Sequence, residues 1–319
     1  MNRVGLEFEK PILEFEKKIA ELKELAPSIN TDLSTEIEAL EKQLLREKKL
    51  IYSHLTPWQK ILTVKQTHRP HSSDYINSLM TNKVDLFGDR IFGDDPAIIS
   101  GLAVFRGYEL VFLGQEKGRD TKERLARNFG LMHPEGYRKA LRLMKLAEKF
   151  SKPVVTFVDT QGAHPGVEAE ERGQALAIAE NLAQMSALET PIVCVVIGEG
   201  GSGGALGIGV ADRILMLENA IYSVCLPETC SQILRWGDDH VPEAAKALKL
   251  TADELLELGV IDEVIKEPLG GAHTDTALTI HRVGRALKRN LDTLTAMDKD
   301  ELLDKRYEKY RNMGQISSL

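Results

Sequence analysis

Glycine is concentrated in residues 198–209, where seven of the twelve positions are glycine. This segment directly follows residues 191–197, an apolar run typical of a buried strand. Glycine tolerates positive φ and leaves backbone N–H groups uncovered. A strand that ends in such a turn and opens a helix can therefore present donors to an oxyanion or a phosphate. The pattern predicts an anion-binding turn and leaves open which anion it holds.

Two nucleotide-binding interpretations of this turn can be tested on its spacing. Gly198, Gly200 and Gly203 fit the G-x-G-x-x-G dinucleotide pattern. Glu218 stands twenty positions after Gly198, near where a ribose-binding acid is expected. The helix that follows has only residues 203–211 available, which is short for a dinucleotide crossover. A Walker loop fails because small residues follow Gly203 where Lys and Ser or Thr are required.

Two other interpretations remain open on the glycine pattern. The turn could simply pack tightly against a neighbouring segment, or it could form an oxyanion hole. In the oxyanion hole, the backbone N–H groups of Gly203 and Gly204 at the start of the next helix would be the donors.

Composition bounds the class of protein. The chain has 319 residues, 43% of them hydrophobic, with a mean hydropathy of −0.21, which is enough for one large α/β domain with appendages. A net charge of −7 argues against a general affinity for nucleic acid or for an anionic membrane. No run reaches membrane-spanning length and the first residues lack a signal-peptide core, so we expect a cytoplasmic protein.

The cysteines indicate neither disulfides nor a thiolate metal site. Cys194, Cys225 and Cys230 are an odd number without C-x-x-C spacing, and Cys194 lies inside an apolar run. We therefore expect small buried cysteines and no metal on this chain.

The first 55 residues are typical of two charged amphipathic helices. One is expected from Leu6 to about Leu25 and the other from Thr35, with a break at residues 27–30. Thr35 and Glu38 fit a capping box at the start of the second helix. This helical arm could pack on its own domain or clasp a partner subunit.

From about residue 58 the pattern becomes that of an α/β core. Residues 98–105 and 110–115 predict a β-hairpin, and continuous apolar strands bounded by helices imply a sheet covered on both faces. The further elements expected are strands at 153–158, 191–197, 213–217 and 220–225, and helices at 136–150, 168–188, 227–236, 241–248 and 252–258.

A second glycine-bearing loop follows the strand at 153–158. It contains Gly162 and Ala163, and neighbouring parallel strands would bring it to the same sheet edge as the turn at residues 198–209.

The sequence gives weaker support for catalysis by side chains than for backbone donors. Ser202, His164 and Asp159 could be drawn as a nucleophilic triad, but no orienting geometry follows from the sequence. The acids at 168, 170 and 171 are explained by a helix N-terminus better than by a hydratase carboxylate pair.

Residues 252–264, which end in a Gly-Val-Ile-Asp-Glu-Val motif, follow this paired-loop core and resemble the crotonase superfamily. Within it, six segments are similar to the family of acetyl-CoA carboxylase carboxyltransferase alpha subunits, and the likeness covers nearly the whole chain. These segments are residues 114–123, 128–130, 134–144, 166–174, 198–205 and 268–273. The chain departs from the family at Gln161, where proline is usual, and at His164, where an aromatic residue is more usual.

The resemblance implies an α/β, crotonase-like fold of stacked ββα units with an N-terminal helical arm. It divides the chain into an arm at 1–55, a carboxyltransferase domain at 56–296 and a helical tail at 297–319. The implied activity is transfer of a carboxyl group from carboxybiotin to acetyl-CoA to give malonyl-CoA, the first committed step of fatty acid biosynthesis. The implied partners are a zinc-bearing beta subunit in an α2β2 assembly, a biotin carboxyl carrier protein and a biotin carboxylase.

The resemblance also assigns site residues. Gly203 and Gly204 would form the backbone oxyanion hole for the biotin ureido oxygen, and the departing biotin anion can accept the proton, so no protein base is needed. Valine at either glycine is expected to leave the fold intact and to lower kcat about a hundredfold. Weaker assignments to substrate binding are Gly162, Ala163, Gly200, Gly201, Lys117 and Arg119.

Three other functions remain as alternatives: a self-sufficient CoA-thioester hydratase or isomerase, a dinucleotide-binding enzyme, and a catalytically silent scaffold. The basic residues around Lys117 and Arg119 could contact CoA phosphates or a partner subunit, or could simply be a solvated face.

Overall fold

A computed structural model describes residues 5–29 and 32–314. In this part of the chain one eight-stranded sheet has the order β1-β2-β3-β4-β5-β6-β8, with β7 paired to the end of β5. The first three strands are antiparallel and the others parallel. The strands are β1 Thr81–Asp85, β2 Ile98–Phe105, β3 Tyr108–Gln115, β4 Val154–Thr160, β5 Ile192–Gly201, β6 Arg213–Leu217, β7 Ile221–Ser223 and β8 Glu263–Ile265.

Helices cover the sheet and form the arm. They are α1 Lys10–Ile29, α2 Ser34–Tyr52, α3 Pro57–Val64, α4 Ser72–Leu79, α5 Thr121–Ala126, α6 Pro134–Lys149, α7 Val167–Glu171, α8 Gln174–Ala187, α9 Ser202–Leu206, α10 Pro227–Ile233, α11 Val241–Ala247, α12 Ala252–Glu257, α13 Thr276–Thr295 and α14 Lys299–Arg311. No described helix is both long and apolar enough to cross a membrane.

The core confirms the α/β pattern read from the sequence. Every residue of β4 and β5 is buried, as expected for parallel strands covered on both faces. The β2–β3 hairpin is confirmed, and its tight turn holds Arg106 and Gly107 at φ 45° and 92°. The helix expected at 168–188 is instead two helices, because Gly173 adopts φ 84° between α7 and α8.

Two expectations for the arm are wrong. Helix α1 continues through Pro27 to Ile29, so proline does not end the helix where the sequence pattern placed the break. The capping box at Thr35 is not formed, because α2 begins at Ser34 and Thr35 lies inside its first turn. The carboxylate of Asp32 instead accepts the N–H of Ser34 at 2.9 Å. Asn30, the last residue of the expected break, lies outside the described residues.

The C-terminal helix α14 is fixed to the core through one buried side chain. Arg306 is 2% exposed, and its guanidinium makes two bonds to the Asp212 carboxylate at 2.7 and 2.8 Å. Its other N–H groups donate to the carbonyls of Met185, Leu188 and Thr190. This ion pair anchors α14 beside the start of β5. The division into arm, domain and tail stays a prediction.

Candidate active site at the ends of β4 and β5

The two glycine-bearing loops meet where β4 and β5 end. A Cβ added at Gly201 would lie 1.9 Å from the carbonyl oxygen of Gln161. A Cβ added at Gly204 would lie 2.2 Å from the carbonyl carbon of Gly162. Backbone thus packs directly on backbone at two points, which only glycine permits. Valine at Gly204 would force these two backbone segments apart, so its effect on kcat could not be separated from a displacement of the loops.

Gly203 and Gly162 are in a different situation. A Cβ added at Gly203 would meet only the Ile178 side chain at an ordinary 3.5 Å, and one added at Gly162 would meet nothing within 4 Å. Neither glycine adopts a positive φ. Close packing explains Gly201 and Gly204, whereas it does not require glycine at Gly203 or Gly162.

The dinucleotide turn is not formed. Gly198 and Gly200 lie inside β5 as extended residues, and the following helix α9 has only five residues. A Cβ at Gly198 would collide with the Asp159 carboxylate at 2.2 Å, and one at Gly200 with the Tyr222 ring at 2.8 Å. These glycines make room for neighbouring side chains within the sheet.

A sharp change of direction at Ser202 sets the donors of α9. Ser202 adopts φ 47°, a left-handed conformation that is costly for a residue with a Cβ. The N–H groups of the first turn of a helix have no intrahelical acceptor, which applies to Gly203 and Gly204. The carbonyl of Gly203 accepts the N–H of Gly207 at 2.9 Å, and this bond fixes the plane of the Gly203–Gly204 peptide. The Gly204 N–H lies in the same plane and points away from the Gly203 carbonyl, so its direction is defined.

Sequence reasoning missed Gln115, which ties the site together. Its side chain is buried at the end of β3, and its Nε2 donates to the Gly204 carbonyl at 2.7 Å. Its Oε1 accepts the N–H of Asp159 at 3.1 Å. A polar residue closing an apolar strand at the loop-bearing edge was the available signal.

Lys117 joins the entrances to both loops. Its Nζ lies 2.7 Å from Oδ1 of Asp159 and 2.5 Å from Oε2 of Glu199. Burial lowers the pKa of Lys117, but the two carboxylates outweigh burial and raise that pKa above its ordinary value. Gln161 adds a bond from Nε2 to the Glu199 carboxylate at 3.2 Å. Arg119 is not part of this group, because it is exposed and pairs with Asp74 of α4.

A cavity of about 330 Å³ opens beside these residues. Lys117, Asp159, Gln161 and Glu199 line it together with Arg69, which makes a bidentate ion pair with Glu267 at 2.8 Å. The remaining lining residues are Val64, Lys65, Gln66, Thr67, Pro70, His71, Gly118, Arg124, Phe129, Leu131, Ile197 and Gly198. Gly203 and Gly204 do not line it, so the cavity and the first turn of α9 are separate parts of the site.

Other side-chain chemistry considered from the sequence is not assembled. Asp159 is bound to Lys117 and to the N–H of Glu199, while His164 contacts Asn128 and Glu168, so Ser202, His164 and Asp159 form no relay. The three cysteines are free, and burial raises the pKa of Cys194 to about 11.

Comparison of the fold with solved structures finds a transcarboxylase and a malonate decarboxylase, both at low sequence identity. A transcarboxylase 12S structure with hydrolysed methylmalonyl-coenzyme A superposes with a TM-score of 0.58 at 17% identity, over 80% of this chain and 43% of that chain. This chain thus spans less than half of the transcarboxylase chain. A Pseudomonas malonate decarboxylase hetero-tetramer with coenzyme A gives a TM-score of 0.56 at 18% identity, over 67% of this chain and 86% of that one. These matches show the crotonase-like fold.

Comparison with known sequences finds relatives of much higher identity. A protein of Geobacillus kaustophilus is 52% identical over 98% of this chain and 97% of its own length, and one of Thermus thermophilus is 52% identical over 98% and 99%. A Bacillus subtilis protein is 50% identical over 98% and 96%. All three are named acetyl-coenzyme A carboxylase carboxyl transferase subunit alpha. Residues 5–314 match the family described as acetyl co-enzyme A carboxylase carboxyltransferase-like, and the chain belongs to this family as a carboxyltransferase alpha subunit.

Proposed function

We propose that this chain, together with a beta subunit, transfers a carboxyl group from N1-carboxybiotin to acetyl-CoA and so forms malonyl-CoA. The observation that carries the proposal is about 50% identity to carboxyl transferase alpha subunits over 98% of the chain. The paired loops support it, since the first turn of α9 offers backbone N–H donors and Ser202, His164 and Asp159 form no nucleophilic relay. The family match favours this function over the self-sufficient hydratase.

Charge development explains why backbone donors suffice. As the carboxyl group leaves the ureido nitrogen, negative charge grows on the ureido oxygen, and acetyl-CoA becomes an enolate as it loses an α-proton. In the proposed arrangement the N–H groups of Gly203 and Gly204 stabilise the ureido oxygen, and the beta subunit stabilises the enolate. A preorganised donor of this kind can be worth about 3–4 kcal/mol in kcat. The biotin anion itself can take the proton.

The weaker site residues take supporting roles in this proposal. Gly200 and Gly201 set the contact between β5 and the first loop, which carries Gly162 and Ala163 toward the substrate. Lys117 fixes the position of the two loops relative to each other through its ion pairs with Asp159 and Glu199. Arg119 lies on the exposed side, where it could meet a CoA phosphate or the beta subunit.

In this function the chain would work with further proteins in the cytoplasm. Carboxybiotin would arrive on a biotin carboxyl carrier protein charged by a biotin carboxylase, and zinc would belong to the beta subunit of an α2β2 assembly. Its location would be the cytoplasm, and cell fractionation tests this.

Coexpression with a zinc-bearing beta subunit tests the proposal. Malonyl-CoA should form from acetyl-CoA and carboxybiotin only when both subunits are present. Robust carboxyl transfer by a beta-free preparation would contradict it. Hydration of an enoyl-CoA by the purified chain would support the hydratase, NAD binding would support the dinucleotide enzyme, and inertness of the assembled pair would support the scaffold.

A further inference from the structure

Two histidines and a glutamate converge beside the first loop. His133 precedes α6, His164 lies directly after Ala163, and Glu168 is in the first turn of α7. One ligand atom from each of the three side chains lies within 4.8 Å of the others. The two imidazole rings are 4.2 Å apart, and Nε2 of His164 is 2.6 Å from Oε1 of Glu168. Neither the glycine pattern nor the cysteine spacing pointed to this cluster.

Gly166 provides the space in which these groups meet. A Cβ at this position would lie 2.3 Å from Oε1 of Glu168 and 2.5 Å from Nε2 of His164. His133 and His164 are partly buried while Glu168 is exposed, so an ion has an entry path from solvent. The nearby Arg172 is held by Glu135 at 2.7 Å.

We propose that His133, His164 and Glu168 form a binding site for a divalent transition-metal ion such as Zn²⁺ or Co²⁺. Imidazole nitrogens suit these ions, and two histidines with one carboxylate leave at least one coordination position open. The cysteine spacing predicts no thiolate metal site on this chain, and the proposed site uses imidazole and carboxylate ligands instead. The site is independent of the proposed carboxyl transfer.

Asn128 determines which ring nitrogen of His164 carries the proton when no metal is bound. Its Nδ2 lies 2.6 Å from the Leu131 carbonyl and 2.8 Å from Nδ1 of His164. Because this nitrogen donates to both, Nδ1 of His164 is an acceptor and the neutral ring carries its proton on Nε2, which faces Glu168. A metal on Nε2 requires that proton to move to Nδ1, where Asn128 then opposes it with a second donor. Asn128 therefore weakens metal binding, and removing its amide should strengthen it.

A bound ion would connect three segments around the first loop. Both backbone groups of His164 are already hydrogen-bonded: its N–H donates to the Met132 carbonyl at 3.1 Å, and its carbonyl accepts from Nε2 of Gln174 at 3.0 Å. Coordination would add links from this loop to the starts of α6 and α7. The expected consequence is a stiffer first loop and a higher melting temperature.

The test uses the full chain without a beta subunit, treated with chelator and dialysed against Zn²⁺ or Co²⁺. We expect about one ion per chain, a visible absorption band with Co²⁺ and a rise in Tm. His133→Ala and Glu168→Gln should each weaken binding about tenfold or more. Asn128→Gly should tighten binding, because glycine tolerates the φ of 48° at this position and removes the competing donor.

A surface histidine provides the matched control. His240 is exposed and lies 4.0 Å from Glu243, so His240→Ala should leave binding unchanged. No stoichiometric binding, or binding that His133→Ala and Glu168→Gln do not weaken, would mean an adventitious ion only and would overturn the proposal. Weaker or equal binding in Asn128→Gly would contradict the role given to Asn128. Circular dichroism of each variant excludes misfolding as the cause of lost binding.

Discussion

Gly204→Ala tests whether the two glycine-bearing loops touch as the structure shows. The added Cβ would stand 2.2 Å from the carbonyl carbon of Gly162 and 2.6 Å from the N–H nitrogen of Ala163. Both contacts are with backbone, so no side chain can rotate away. Restoring an ordinary contact of 3.4 Å requires the first loop and α9 to separate by roughly 1 Å, a displacement that can lower kcat about a hundredfold.

The same overpacking should cost about 1–3 kcal/mol of stability. In a large domain this lowers Tm by about 2–4 °C per kcal/mol. The assays are thermal melting of the chain and kcat for malonyl-CoA formation by the assembled enzyme. Gel filtration with the beta subunit establishes that the variant still assembles.

Gly203→Ala is the matched control, one residue away in the same helix. Its Cβ would meet only Ile178 at 3.5 Å, so Tm should be unchanged or slightly higher. The two variants are compared on Tm, because the Gly203 N–H itself belongs to the proposed oxyanion hole. A Gly204→Ala enzyme with wild-type Tm and kcat would refute the contact between the loops. Equal losses in both variants would refute the distinction drawn between the two glycines.

Two further predictions concern buried charges. Lys117→Met leaves Asp159 and Glu199 adjacent without their cation and should cost about 3 kcal/mol or more of unfolding free energy. Denaturant titration measures this loss, and a variant as stable as the wild type would contradict the ion pairs. Burial raises the pKa of Asp95 to about 6, so the folded chain holds this proton more tightly than the unfolded chain, and the contribution of Asp95 to stability should fall as pH rises from about 4 to 6. Melting across this range should show the fall in the wild type and a smaller one in Asp95→Asn, and matching profiles would contradict the assignment.

Local structure could largely be read from the sequence, because its causes lie within a few residues. The β2–β3 hairpin follows from two apolar runs joined by a short turn that contains Gly107, and β6 from a short apolar run between turns. The capping box at Thr35 failed for an equally local reason, since α2 starts one residue earlier. The family resemblance was visible because its motifs are contiguous.

The glycine run shows what the sequence alone determined and what it did not. Its composition established that something approaches the backbone closely, but each glycine has a different neighbour. Asp159 approaches Gly198, Gln161 approaches Gly201 and Gly162 approaches Gly204, whereas Gly203 remains open. These contacts join residues about 40 positions apart, so only the pairing of β4 with β5 decides which glycine is needed for packing and which is not.

Long-range contacts also decided the side chains that sequence reasoning missed. Gln115 reaches Gly204 and His133 meets His164 only because β3, β4 and α6 converge at one edge of the sheet. Local propensity and spacing carry information about residues adjacent in the chain. The partners of a buried amide or an imidazole depend on how the sheet brings distant segments together, and that arrangement exists only in the tertiary structure.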